Sequence, residues 1–518
     1  MHYVATCVRT VSRRHTSVPA TASDRSYKIL EELANQQSLL GIIRSNRPHR
    51  AESIREMATV HEAPIDGDGR RRPHARRVLV FPLPFQGHIN PMMQLADVLH
   101  SRGLGVTVLH TRFNALDPAL HPEFTFVAVP DGIPADIAAT GSIISIILAM
   151  NAAMEASGAV HDVLASVLAD EPAACLFIDA NLLAVQKAAA ALGLPTMVLR
   201  TGSAACFSCF LAYPMLHEKG YLPPKESQLC TPVQELPPLR VKDLFLSSSN
   251  NHEMVRKVLA RATETVRNSH GLVINTFEAL ETAELDRIRR EVDAAVVLAV
   301  GPLHKLSTRG TGSSLLQQDR SCIEWLDRQA AGSVLYVSFG SLASMDSGEL
   351  WEVAWGLANS GQPFLWVVRP DLVRGSDGTG LPEGFDRAVD GRGKVIPWAP
   401  QQEVLAHPAV GGFWTHNGWN STLESISQGL PMICRPQFAD QMMNTRYVET
   451  AWGVGFELEG ELERNKIEEA IRNLMKGSNG ETMLERAREL KKKVATCLES
   501  DGSSVLAIDK LIDYISSL

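Results

Sequence analysis

Gly411 to Thr415 is a short apolar run suited to a buried parallel strand, and only His416, Asn417 and Gly418 stand between it and the helical pattern Asn420–Gln428. A strand, a tight turn and a helix start in such close succession demand an α/β layer, with the strand inside a sheet and the helix packed across it. Leu423 and Ile426 recur at helical spacing, Asn420 or Ser421 can cap the helix, and Gly429 with Pro431 ends it. Free backbone N–H groups and the positive end of the helix dipole then meet at Gly418 to Ser421, beside His416, a place that suits a diphosphate. An ordinary βα turn that holds nothing is the plainer alternative at this point.

The flanks of this unit narrow the choice. Trp398 offers a flat face to a base, while Gln401 and the backbone at Ala399 offer amide-type hydrogen bonds. Glu424 lies one turn inside the helix and can take two ribose hydroxyls; Asp440 and Gln441 add the carboxylate and amide that hexose hydroxyls favour. Over this length and in this order, the stretch from Trp398 to Gln441 resembles the signature box of the plant family 1 UDP-dependent glycosyltransferases. The resemblance implies that Trp398 stacks on uracil, that Ala399 and Gln401 hold its edge, and that Glu424 holds the ribose. It also implies that His416, Asn420 and Ser421 hold the diphosphate at the Gly418 turn, with Trp419, Asp440 and Gln441 on the sugar. Asn417 stands where the family frequently has Cys, a departure read as subfamily variation. Gln441 is the residue that users of UDP-glucose carry there, where His accompanies galactose.

A chain of 518 residues, 45% hydrophobic and only 6% aromatic, exceeds what one core usually organises, so two α/β domains with extra segments are expected. The net charge of −8 gives no reason to expect a nucleic-acid partner. The cysteines, at 7, 175, 206, 209, 230, 322, 434 and 497, have the spacing of neither a disulfide framework nor a zinc site. Cys206 and Cys209 form a lone CxxC and read as buried free thiols of a reducing compartment. No run reaches the roughly 18 apolar residues of a membrane span. The longest apolar neighbourhood, Ile143 to Met154, is interrupted by Ser145 and Asn151 and reads as a buried or pocket-lining helix.

The first 75 or so residues differ in character, rich in Arg, Ser and Thr and ending in Asp66 to Gly69 and the cluster Arg70 to Arg72, as in a flexible arm. Two readings stand: Met57 as the working start in the cell, leaving a cytoplasmic enzyme, or residues 1–56 as a plastid or mitochondrial transit segment. N-terminal sequencing of the native protein separates them.

Folding proper is expected from Arg77. Val78 to Phe81 reads as a buried strand, Pro82 to Ile89 as a loop, and Asn90 with Pro91 as N-cap and first residue of a helix stopped by Gly103. Val106 to Leu109 then completes a βαβ unit whose loop, with His88 in it, lies where open α/β sheets place ligands. A loop histidine taken alone is as a rule structural. Within PLPFQGHINP, however, His88 matches the family's catalytic histidine, which accepts the acceptor hydroxyl's proton as that oxygen attacks the anomeric carbon. The resemblance assigns the carboxylate that orients it to Asp179, after the strand Cys175–Ile178; a simple helix cap ahead of Asn181 is the alternative. It further places Thr201, in VLRTGS, near the sugar and Ser341, in VLYVSFGS, near the diphosphate.

The implied architecture is the GT-B fold, two facing Rossmann-like doubly wound domains with a cleft between them. The expected divisions are an extension 1–76, an acceptor-binding domain 77–303, a linker 304–322, a UDP-sugar-binding domain 323–500 and a helix 501–518 returning to the first domain. The expected activity is inverting transfer of glucose from UDP-glucose to a hydroxyl of a small hydrophobic plant metabolite, by a monomer with no cofactor and no metal. The obvious DxD-like pair, Asp66 and Asp68, lies in the arm. A non-catalytic nucleotide-sugar binder or an epimerase-like enzyme on the same fold is the alternative. Ile143 to Glu155 and Ala204 to Tyr213, apolar and rich in small residues, are expected to line the acceptor pocket, which favours a flat or compact hydrophobic aglycone. Within the family the chain resembles the branch acting on cytokinins, benzoxazinoids, terpenoids and phenolics.

Overall fold

The computed structural model describes residues 76–140, 142–244, 252–308, 314–373 and 380–518. The arm with Cys7, Met57, Asp66, Asp68 and Arg70 to Arg72, and positions 309–313 of the expected linker, lie outside the described residues. One sheet comprises β1 (Arg77–Phe81), β2 (Gly105–Thr111), β3 (Thr125–Val129), β4 (Cys175–Asp179), β5 (Thr196–Arg200), β6 (Gly271–Ile274) and β7 (Val296–Ala299), in the order β3-β2-β1-β4-β5-β6-β7. A second comprises β8 (Val334–Ser338), β9 (Phe364–Val367), β10 (Gly393–Ile396), β11 (Val410–Thr415), β12 (Met432–Cys434) and β13 (Gly455–Glu457), in the order β10-β9-β8-β11-β12-β13. Every pairing in both sheets is parallel, the doubly wound α/β class expected from the sequence.

The strands read as unbroken apolar runs because helices cover both faces of each sheet. Leu79 and Phe81 face one buried cluster and Val78 and Val80 another; in β8, Val334 and Tyr336 are likewise divided from Leu335 and Val337. The helices that bear on the site are α1 (Gln86–Ser101), α2 (Ile143–Ser157), α3 (Ala204–Glu218), α4 (Ser347–Ser360), α5 (Gln401–Ala406), α6 (Trp419–Gln428), α7 (Gln441–Arg446) and α8 (Ser503–Ser517). Asn151 does not interrupt α2. It is buried, its Nδ2 donates to Ile147 O at 2.9 Å and Asn181 O at 2.8 Å, and its Oδ1 accepts from Ala184 N at 3.0 Å, so a polar residue ties α2 to the segment after β4. Ala507, Ile508, Leu511 and Ile515 of α8 join the cluster of Val78 and Val80, Arg76 Nη1 donates to Ile515 O at 2.9 Å, and Arg102 pairs with Asp509. The C-terminal helix therefore packs on the first sheet.

Two helix starts differ from the expectation. Residues Gln86 to Ile89 belong to α1 rather than to a loop, since the backbone N–H groups of His88 and Ile89 already reach Phe85 O at 2.8 and 2.9 Å. Asn90 is not the cap, and Pro91 falls in the second turn, where its missing N–H leaves Gly87 O without a helical donor. Asn420 Nδ2 supplies that bond at 3.0 Å from the second domain. In α6 the N-cap is Gly418, and neither Asn420 nor Ser421 caps it. Asn420 is engaged with Gly87 and Ser421 Oγ accepts from Gln401 Nε2 at 2.9 Å, so no side-chain cap takes up the first-turn N–H groups. Among the described residues no single helix is long and apolar enough to cross a membrane.

Candidate active site

In a doubly wound sheet the chain leaves neighbouring strands in opposite directions where the order reverses, and the gap between the departing connections is a crevice. The first sheet reverses between β1 and β4, the second between β8 and β11. His88 follows β1 and Asp179 ends β4; Gly340 and Ser341 follow β8, and His416 to Gly418 follow β11. His88, Asp179, Ser341 and His416 to Gly418 thus gather at the two reversal points, while Thr201 follows β5, Trp398 to Gln401 follow β10, and Asp440 and Gln441 follow β12.

On the first sheet, His88 Nδ1 lies 2.7 Å from Asp179 Oδ2 and 2.9 Å from Thr201 Oγ1. Asp179 is not a helix cap, since the helix Leu183–Ala191 starts from Leu182 with no side-chain cap; its Oδ1 instead accepts Asn181 N and Asn181 Nδ2, both at 2.9 Å, within the turn. One carboxylate oxygen anchors the following turn and the other faces the imidazole. Burial would raise the Asp179 carboxyl, but the His88 ring, the Asn181 N–H and the Arg200 charge outweigh it and hold the carboxyl below its usual value. An ionised carboxylate can only accept, so the ring proton sits on Nδ1 and the lone pair on Nε2. The His88 side chain keeps 29% exposure and Asp179 2%, so the imidazole stays accessible while the carboxylate beside it is dry.

On the second sheet, a Cβ at Gly340 (φ +71°) would stand 2.5 Å from the His416 ring, so the β8 turn closes directly on that histidine. Arg369, buried at the end of β9, donates to the carbonyls of Gly340 and Ala343 and shapes the turn. Burial, reinforced by the Arg369 charge, lowers His416 to about 4, so its ring is neutral at pH 7 and meets a ligand as a hydrogen-bond donor rather than as a cation. Gln401 Nε2 donates to Glu424 Oε2 at 2.7 Å and Gln402 Nε2 to Oε1 at 3.0 Å, while Tyr336 Oη donates to Gln401 Oε1 at 3.3 Å. Burial raises Glu424 despite those two amides. Ala399 is buried, and the Trp398 ring is steadied by its Nε1 donating to Ser314 Oγ at 3.1 Å. Ser341 stands half-buried in the loop after β8.

The remaining residues expected on the sugar side lie where the domains meet. Trp419 is buried and its Nε1 donates to Asn275 O in the first domain at 2.8 Å, which leaves the backbone as its means of holding a ligand. Gln441 Oε1 accepts from Gln437 N at 2.8 Å and Phe438 N at 3.2 Å, so its NH2 carries the rest of its hydrogen-bonding capacity. Desolvation raises the Asp440 carboxyl against the Asn444 hydrogen bond and the Arg200 and His88 charges. The last two influences come from the opposite domain, so Asp440 faces the His88 site. Arg369, Gln402, Asn275 and Asn444 were not legible as site residues; only Asn444 left a trace, one helical turn after Asp440. Among the described residues no group of three His, Cys, Asp or Glu side chains could hold a metal ion.

A helix start with no side-chain cap on one parallel-sheet domain and a carboxylate-oriented histidine on the other form the arrangement expected from the sequence for an enzyme that acts on a nucleotide-linked group. Residues 310–487 match the family model described as UDP-glucoronosyl and UDP-glucosyl transferase. The chain is 43% identical over 442 residues to UDP-glycosyltransferase 76B1 of Arabidopsis thaliana, covering 85% of this chain and 98% of that protein. With DIMBOA UDP-glucosyltransferase BX8 of Zea mays it shares 47% identity over 456 residues, again 85% and 98%. The solved structure of Phytolacca americana UGT2, complexed with UDP-2fluoro-glucose and pterostilbene, superposes with a TM-score of 0.73 at 29% identity over 85% of this chain and 100% of that one. Os79 from O. sativa in complex with UDP gives 0.72 at 27% identity, over 85% and 99%. The chain belongs to the plant UDP-dependent glycosyltransferases, with the GT-B fold, and it is an enzyme of glycosyl transfer rather than a passive binder.

Proposed function

We propose that this enzyme transfers glucose from UDP-glucose, with inversion, to a hydroxyl of a small hydrophobic plant metabolite, and that it does so without a metal. The observation that carries the mechanism is the 2.7 Å contact of His88 Nδ1 with a buried, ionised Asp179 at the mouth of the cleft. Nε2 takes the proton of the acceptor hydroxyl as its oxygen forms a bond to the anomeric carbon; the bond from that carbon to the diphosphate oxygen breaks, and UDP leaves with the electron pair. Asp179 stabilises the resulting imidazolium. The departing charge is met by the first-turn N–H groups of α6, by Ser341 and by the neutral His416, donors already in place before the reaction.

Trp398 with the Ala399 backbone is assigned to uracil. Gln401 is assigned to the base edge, and Glu424, which its amide holds in place, to the ribose hydroxyls. Asp440, the Gln441 amide, the Trp419 backbone and Thr201 are assigned to the sugar. The first domain is assigned the acceptor pocket, with α2 and α3 beside it, and the half-buried Ile143, Ile144 and Leu148 of α2 offer the apolar surface that suits an apolar aglycone. The relatives named as DIMBOA UDP-glucosyltransferases make DIMBOA a natural first compound in an acceptor panel. Among the described residues Cys175, Cys206, Cys322, Cys434 and Cys497 are buried free thiols, which suits the cytoplasm. NMR of the product formed from α-linked UDP-glucose tests the proposal: a β-glucoside is expected, and an α-linkage would overturn the displacement geometry. Turnover should be unchanged in EDTA.

A further inference from the structure

Asn444, one turn after Asp440 in α7, is 1% exposed and joins three parts of the molecule through one amide. Its Nδ2 donates to Asp440 Oδ2 at 3.1 Å and to Asn417 O, in the turn after β11, at 2.9 Å. Its Oδ1 accepts from Ser203 Oγ at 3.2 Å, across the meeting of the two domains. Ser203 is the N-cap of α3, its Oγ accepting Cys206 N at 3.1 Å, and it ends the short loop that begins with Thr201, the partner of His88. Gly202, between them, is where the loop passes Asp440: a Cβ there would lie 3.7 Å from Asp440 Oδ2.

We infer that Asn444 is a positioning residue that sets the Asp440 carboxylate for the sugar and locks that setting to the meeting of the domains through Ser203. An amide is the group that can do this. Its NH2 serves two acceptors of the donor side while its carbonyl receives the hydroxyl of the acceptor side, so its orientation is fixed by both domains at once. When Ser203 is in contact, Asn444 cannot turn and Asp440 Oδ2 stays occupied, leaving Oδ1 for a sugar hydroxyl. The carboxylate that grips the sugar is thereby set only when the loop bearing Thr201 is in place beside it.

This inference rests on the assignment of Asp440 to the sugar. The experiment compares the dissociation constants of UDP and UDP-glucose by calorimetry in the full-length enzyme, together with KM and kcat, for Asp440→Ala, Asn444→Ala, Asn444→Ser and Ser203→Ala. The advantage of UDP-glucose over UDP should fall about tenfold in both Asn444 variants, the worth of one hydrogen bond to a charged group. Ser203→Ala should produce part of that loss alone and nothing further in the Asn444→Ala background. UDP binding in the same samples shows that each variant is folded, and Asn444→Ser, which fills part of the space, serves if Asn444→Ala is not. A loss in Asp440→Ala with none in the Asn444 variants overturns the inference and keeps the sugar assignment. No loss in Asp440→Ala overturns the assignment itself. Equal weakening of UDP and UDP-glucose in the Asn444 variants would mean that Asn444 only supports the turn at Asn417, and would also overturn the inference.

Discussion

At the scale of single residues, each group of the proposed mechanism is defined by what it cannot do. Asp179 is buried and held ionised, so it cannot donate, and this fixes the tautomer of His88. His416 is neutral at pH 7, so it cannot act as a fixed cation, and it offers a hydrogen bond instead. In the proposed mechanism the two histidines therefore divide proton transfer from charge stabilisation. Replacing His88→Ala should lower kcat by about 10²- to 10⁴-fold, the usual worth of a positioned base, with UDP affinity within about twofold of the parent. Asp179→Asn keeps the volume but offers an amide that can present N–H to the ring, so kcat should fall into the same range. Single-turnover kinetics beside calorimetry measures both, and undiminished turnover in His88→Ala would remove His88 from the mechanism.

At the scale of elements, the β8 and β11 turns form one structure. Gly340 is left-handed and leaves no room for a side chain against His416, two separate reasons for glycine there, and Asn417, also left-handed at φ +60°, is of the residue type that bears that conformation through its short polar side chain. The Asn in place of the common Cys is thus compatible with the turn it occupies. Gly340→Ala should cost on the order of 1–3 kcal/mol through strain alone and push the His416 ring out of line. Denaturant unfolding should show the first effect and a raised KM for the sugar donor the second; an unchanged KM would show that His416 is not held by this turn. The α6 unit was legible in the sequence because strand, turn and ligand-facing side chains follow one another within a few residues. The start of α1 was not, because a proline after an asparagine reads as a first helical residue, whereas here its missing N–H frees Gly87 O for Asn420. Asn275 was beyond reach for a related reason: it acts through its backbone carbonyl, which every residue carries. Arg369 lies far from Gly340 in sequence, and nothing local to it announces the turn it braces.

At the scale of the whole molecule, buried titratable groups where the domains meet set the response to pH. His304, in the short helix Leu303–Leu306 after β7, has a buried Nε2 with no hydrogen-bond partner, and burial, aided by the Lys305 charge, lowers it to about 3. The unfolded chain binds a proton at this histidine below about pH 6.5 and the folded chain does not. Folding stability at this site is therefore fully present above that pH and is lost progressively as the pH falls toward 3. His416 acts in the same sense over the narrower span down to about 4. Glu281 opposes them: burial raises it to about 7, although its carboxylate accepts Ala204 N and Ala205 N at the start of α3, so its contribution declines as the pH rises from the ordinary carboxylate range through 7. The two trends overlap between about pH 4.5 and 6.5, so a stability profile of the parent alone does not separate them. His304→Gln does, since it removes one acid-sensitive group outside the catalytic machinery and leaves Glu281 and His416 untouched. Its midpoint in urea should lie near the parent's at pH 7.5 and above it at pH 5, with the gap widening by on the order of 1 kcal/mol for each pH unit below about 6. Parallel profiles would show that His304 takes up its proton without unfolding, as it would if the helix after β7 opened by itself while both sheets stayed intact.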